Sequence, residues 1–150
     1  MTTRRTRRGF SLIEVLIVVA LLAILGLIVL PHAMAGRESA MTTNVRAQLK
    51  HVRTALNLYK LEHMDSYPTL AELQAGWDVL IHTTDVTGFI TPGSGFGPYL
   101  QQPPQNVFTS GSTVVVSGFG TAADGWEYDE ASGQISAVGF DEHTGAFVAP

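Results

Sequence analysis

Hydrophobic and polar positions divide the chain into three regimes. Residues 10–30 read FSLIEVLIVVALLAILGLIVL, an apolar run with a single charge, Glu14. A run with no polar face predicts a helix surrounded by apolar material rather than one lying on a core. At about 1.5 Å per residue it reaches ~31 Å, close to the hydrocarbon thickness of a bilayer. Beyond Pro31 the pattern changes: Val45, Leu49, Val52, Leu56 and Tyr59 recur at spacings of four, three, four and three, a single apolar stripe that can cover a core. Tyr67 precedes Pro68 and is pushed out of helical geometry, so this helix is expected to stop near Asp65 or Ser66. The remainder is built from short pieces. Thr69 and Glu72 have capping-box spacing, and Gly76 can end the one-to-two-turn helix they start. Residues 83–112, rich in Thr, Gly, Pro, Ser and Gln, read as loop, and strands are expected at 113–117, 125–129, 134–138 and 146–148.

An internal repeat lies in the last portion. Tyr128-Asp129-Glu130-Ala131-Ser132-Gly133-Gln134-Ile135 matches Phe140-Asp141-Glu142-His143-Thr144-Gly145-Ala146-Phe147 twelve residues later. An Asp that opens a turn accepts from backbone amides two residues on, and Gly supplies a left-handed position, so each unit reads as a hairpin turn. Two consecutive hairpins predict a three-stranded antiparallel meander.

Composition bounds the chain to one modest domain of 150 residues. The absence of cysteine excludes a disulfide scaffold, a CxxC redox site and a thiolate zinc site. The net charge of −4 conceals a sharp partition. Arg4, Arg5, Arg7 and Arg8 precede the apolar run, the other five basic residues fall between Arg37 and Lys60, and residues 61–150 carry eleven acids with no Lys or Arg. Four arginines before the run, against Arg37 alone just after it, place the N-terminus in the cytoplasm and the remainder outside. The acidic C-terminal part is a poor partner for nucleic acid, and none is expected, because phosphate contacts need clustered cations. Arg46, Lys50, Arg53 and Lys60 run beside the apolar stripe as a basic edge, which could attract the acidic head of a neighbouring copy or simply be a solvated face. No P-loop, GxGxxG or HExxH is present, the five histidines are scattered, and no enzymatic activity is expected.

Three readings of the N-terminus stand on the residues. Ala33-Met34-Ala35 offers a signal-peptidase site, and cleavage after Ala35 would release a secreted binding domain. Arg7-Arg8 followed by Gly9-Phe10 offers a twin-arginine signal. Neither has a use for Glu14. A carboxylate among apolar helix residues costs about 2.5–3.5 kcal/mol on insertion scales, so a partner is expected.

Arg8-Gly9-Phe10-Ser11-Leu12-Ile13-Glu14 followed by the long apolar helix resembles the class III signal of type IV pilins and of the pseudopilins of type II secretion. The resemblance implies cleavage by a membrane prepilin peptidase between Gly9 and Phe10 and N-methylation of Phe10. It matches the family's glutamate to Glu14 and its proline to Pro31, and implies that Glu14 sets filament register by pairing with the Phe10 amine of a neighbour. Tyr67-Pro68, Gly97-Pro98-Tyr99-Leu100 and Gly125-Trp126-Glu127-Tyr128 look like the major pseudopilins of type II secretion. The division that follows is a leader at 1–9, a transmembrane and filament-core helix at 10–31, the amphipathic half of that helix at 32–66 and a periplasmic head at 67–150. The implied fold is α+β and pilin-like, a long N-terminal helix packed on a small antiparallel sheet. The implied protein is a single-pass inner-membrane subunit of a periplasmic pseudopilus. Its expected partners are copies of itself, the prepilin peptidase, an inner-membrane assembly platform and minor pseudopilins. The alternative is a type IV pilin of a surface fibre serving adhesion, motility or DNA uptake. No cofactor is required, although many relatives of this kind bind calcium through a C-terminal acidic loop. Asp124, Glu127, Asp129 and Asp141 are the oxygen ligands available for it here, and turn capping explains the same acids.

Overall fold

A computed structural model describes residues 10–93 and 95–148, with residues 28–35 described by their backbone alone. The chain forms two compact units, Met1–Ser39 and Ala40–Pro150. In the first, the described side chains are those of residues 10–27 and 36–39, nearly all on α1 (Leu12–Glu62), and the helical backbone continues through Gly26 and Pro31. Among the described residues no helix is long and apolar enough to cross a membrane.

The second unit is built on the stripe of α1. Val45, Leu49, Val52, Leu56 and Tyr59 are all buried, as expected from their spacing, and join one core with Leu73, Trp77, Leu80, Trp126, Tyr128, Ile135 and Phe140. The helix ends at Glu62, three residues before the position expected from Pro68. Met64 and Asp65 adopt left-handed backbone conformations (φ 51° and 60°), and Asp65 N–H closes the end by donating to Lys60 O. α2 (Leu70–Gln74) has the expected capping box: Glu72 N–H donates to the Thr69 hydroxyl, and Thr69 N–H donates to Glu72 Oε2. α3 (Asp78–Ile81), which the sequence pattern does not announce, starts from Trp77 in a left-handed conformation with no side-chain cap.

Three strands follow, β1 (Val114–Val116), β2 (Trp126–Asp129) and β3 (Gln134–Ala137), in the spatial order β1-β2-β3. The β2–β3 hairpin is antiparallel, with Tyr128 opposite Ile135, whereas β1 runs parallel to β2, with Val114 opposite Trp126. The sheet is therefore mixed, and the expectation of a wholly antiparallel sheet and meander is corrected. The cause lies in the return loop: Asp124 accepts from the Thr113 hydroxyl, and the amides of Gly125 and Trp126 donate to Thr113 O, so β2 starts beside the start of β1. The expected last strand is reduced to one antiparallel bridge, Phe140 with Phe147, because the chain turns at Gly139 directly after β3.

Neither sheet edge is left bare. Gln74 Nε2 donates to Val114 O on the outer edge of β1, and Arg53 Nη2 donates to Ile135 O on that of β3. The long loop before β1 is fastened by Asn106, which is fully buried. Its amide nitrogen donates to the carbonyls of Gly125 and Val138, and its oxygen accepts from Phe108 N–H. Both indoles are satisfied in the core, Trp77 on Ser112 O and Trp126 on Pro104 O, and their rings meet edge to face.

Candidate functional site

Phe10 and Glu14 are both exposed, and the carbonyl of Ser11 accepts the first helical bonds, from Glu14 N–H and Val15 N–H. Glu14 lies in the first turn of α1, where the unpaired amides of the helix end favour a negative charge. Around and after it, the large apolar side chains from Phe10 to Leu27 are 48–83% exposed at successive positions, on every side of the helix. An apolar surface of this kind needs lipid or other helices around it. Gly9 lies outside the described residues, and Pro31 lies where the backbone alone is described.

Further along α1, the basic edge is largely engaged inside its own unit. Both terminal guanidinium nitrogens of Arg53, Nη1 and Nη2, donate to the Glu142 carboxylate, and Nη2 also reaches Ile135 O at 2.7 Å. The Arg46 guanidinium lies 6.0 Å from the centre of the Phe140 ring. Lys60 sits 4.6 Å over Tyr67 and 3.6 Å from Asp65. Lys50 has no ion pair among the described residues, so it is the cation of this edge that remains open to a neighbour. At the end of α1, Tyr99 donates to Glu62 at 2.5 Å. His63 stacks on Tyr59, with Nδ1 on Tyr59 O and Nε2 on the Thr84 hydroxyl. Burial first, then the nearby Glu72 and Asp85 charges, push the Tyr59 hydroxyl up to about 12; burial followed by the bond to Glu62 raises Tyr99 as well.

The two repeat units fold into the same turn almost atom for atom. Asp129 accepts from Ala131 N–H and from the Ser132 hydroxyl, as Asp141 accepts from His143 N–H and the Thr144 hydroxyl. Gly133 and Gly145 donate to the carbonyls of Asp129 and Asp141 at 2.8 Å each, with φ of 69° and 72°. The aromatic that opens each unit is buried, and the Glu that follows the Asp reaches a helix. Glu130 accepts from Leu70 N–H at the start of α2, and Glu142 holds Arg53 on α1. That docking role of the Glu was readable in principle, since it shares a place in both repeats, but nothing local in the sequence names its partner.

Of the four acids available for calcium, Asp124 accepts from the Thr121 amide and hydroxyl and from the Thr113 hydroxyl, and Glu127 accepts from Gly120 N–H. Glu127 lies within β2, whereas Asp124, Asp129 and Asp141 each open or close a different turn. Among the described residues no three or more His, Asp or Glu side chains converge on a point that could hold a metal. Hydrogen bonds, those from the neighbouring Thr or Ser hydroxyl first, hold the Asp124, Asp129 and Asp141 carboxyls below the usual range.

Residues 4–30 match the model of the prokaryotic N-terminal methylation motif. The chain is 32% identical over 104 residues to the type II secretion system core protein G of Aeromonas hydrophila, covering 69% of this chain and 68% of that one. It is 28% identical over 145 residues to the protein of the same name from Klebsiella michiganensis, covering 95% and 94%. With the Pseudomonas aeruginosa protein it shares 36% identity over 78 residues, a match that spans about half of that relative, 52% of each chain. No solved structure matches the chain.

Proposed function

Because the chain belongs to the family of type II secretion system core protein G, the pseudopilins of type II secretion, we propose that it is cut between Gly9 and Phe10, methylated on the new Phe10 amine and polymerised through the apolar half of α1. The observation that carries this reading is a helix start whose apolar side chains are uncovered all round, with one carboxylate a single turn from the new terminus. Removal of residues 1–9 takes away the four leader arginines and creates a cation at Phe10. In a bundle of such helices offset by about one turn, that amine meets Glu14 of the next copy, which neutralises a charge costly to leave alone in an apolar setting. The pair fixes axial register where the surrounding Leu, Ile and Val cannot, since apolar contacts are non-directional.

Before assembly, the same helix would anchor the subunit in the inner membrane, with residues 1–9 in the cytoplasm and the head in the periplasm. The arginine asymmetry across the apolar run supports this orientation. The partners are then the prepilin peptidase, an inner-membrane assembly platform, minor pseudopilins and further copies of this chain. The role is structural rather than catalytic, in keeping with a head whose aspartates mostly serve its own turns.

Glu14→Ala is the direct test. The account predicts unchanged processing and membrane levels with loss of sedimentable filaments, and efficient assembly of the variant would contradict the pairing. The basic edge gives a second, smaller expectation. Lys50→Glu should weaken filaments in a salt-dependent manner, because Lys50 has no ion pair among the described residues and the heads of neighbouring copies would carry no Lys or Arg.

A further inference from the structure

Calcium takes six to eight oxygens at about 2.3–2.6 Å, anionic ones included, converging on one point. The donor set of this head does not fit it. All thirteen Asp and Glu residues of the chain fall within the described residues, and among the described residues no three acidic or histidine side chains converge. Each of the four acids already accepts hydrogen bonds from its surroundings. Asp129 Oδ1 takes Ala131 N–H at 3.1 Å and Oδ2 the Ser132 hydroxyl at 2.6 Å; Asp141 Oδ1 takes His143 N–H at 2.8 Å and Oδ2 the Thr144 hydroxyl at 2.7 Å. Asp124 Oδ2 takes both the amide and the hydroxyl of Thr121, its Oδ1 takes the Thr113 hydroxyl, and Glu127 Oε1 takes Gly120 N–H.

We propose that hydrogen-bonded Asp turns at Asp124, Asp129 and Asp141 tie the C-terminal half of this head together where a divalent ion would otherwise do so, and that the head is independent of calcium. Each turn also performs the long-range work of a bound ion. Asp124 joins the return loop to the start of β1, and the turns opened by Asp129 and Asp141 aim Glu130 and Glu142 at α2 and α1. The carboxyls lie below their usual range through these bonds, so the acceptors stay ionised and the turns stay closed at neutral pH.

The proposal separates from a metal site because an Asp turn needs an acceptor rather than a charge, and Asn supplies one. The experiment uses the processed full-length chain in detergent, with the near-ultraviolet circular dichroism of the buried Trp77 and Trp126 as readout and calcium alone as probe. The expected result is the same thermal midpoint in millimolar calcium and in excess EGTA, no heat on calcium titration, and an Asp129→Asn midpoint between those of the parent and Asp129→Ala. A structural site saturated a hundredfold would instead raise the midpoint by on the order of 10 °C. Any saturable rise that Asp124→Asn or Asp129→Asn removes would overturn the proposal, as would an Asp129→Asn variant as damaged as Asp129→Ala.

Discussion

Arg53 shows how much one side chain of the stem can carry. It spans from α1 to the last turn of the head, binding a carboxylate from the second repeat and the outer edge of β3 at once. The pair with Glu142 is about two-fifths exposed, so most of its value lies in the bond to Ile135 O, which also closes the sheet edge. Arg53→Ala should therefore cost about 1–2 kcal/mol in urea unfolding, with Glu142→Gln costing less than half of that. The aspartates of the turns set an acid limit. Their folded pKa values are depressed, so the stability they contribute is present above the ordinary value of 3.8 and is lost as pH falls below it. Tyr59 sets an alkaline limit: its pKa is raised from 10 to about 12, so its contribution is intact below pH 10 and is lost as pH climbs through 12. The urea midpoint should accordingly be flat between about pH 5 and 9 and fall on both sides; a midpoint rising from pH 4 to pH 3 would contradict the assigned turns.

At the level of elements, the amphipathic half of α1 is the base on which the head is laid. Leu49 is buried on the stripe and Leu61 projects into solvent, 76% exposed, on the same helix. Leu49→Ala should cost about 2–5 kcal/mol and Leu61→Ala close to nothing, a contrast that guanidinium unfolding can read directly. Period and capping made this half legible in the sequence, since the stripe, the capping box of α2 and the first repeat hairpin each rest on residues within a few positions of one another. The rest rests on distant partners. α3 has four residues and no side-chain cap, so it leaves no local mark. The parallel pairing of β1 is imposed by the bond between Thr113 and Asp124 and by the amides returning to Thr113 O, contacts that no alternation of Val115 with its neighbours encodes. The four acids looked alike as possible ligands, and only their donors show that Asp124, Asp129 and Asp141 each serve a turn of their own while Glu127, on β2, holds the amide of Gly120.

For the whole molecule, the partition of charge and apolar surface is the organising fact. Loss of the four leader arginines would leave five basic residues against thirteen acids, a net charge of −8, with every remaining Lys and Arg between Arg37 and Lys60. Copies with such heads repel one another in solution, so their association has to come from the uncovered apolar half of α1 and from the few cations left on the stem. Everything in that account depends on where the mature chain begins. The measurement that tests it most directly is the intact mass and N-terminal sequence of the protein extracted from membranes. The account predicts a chain that starts at Phe10 and carries one added methyl group on its amine. A chain starting at Gly36, or an uncut chain starting at Met1, would contradict it, since neither places a free amine one turn before Glu14.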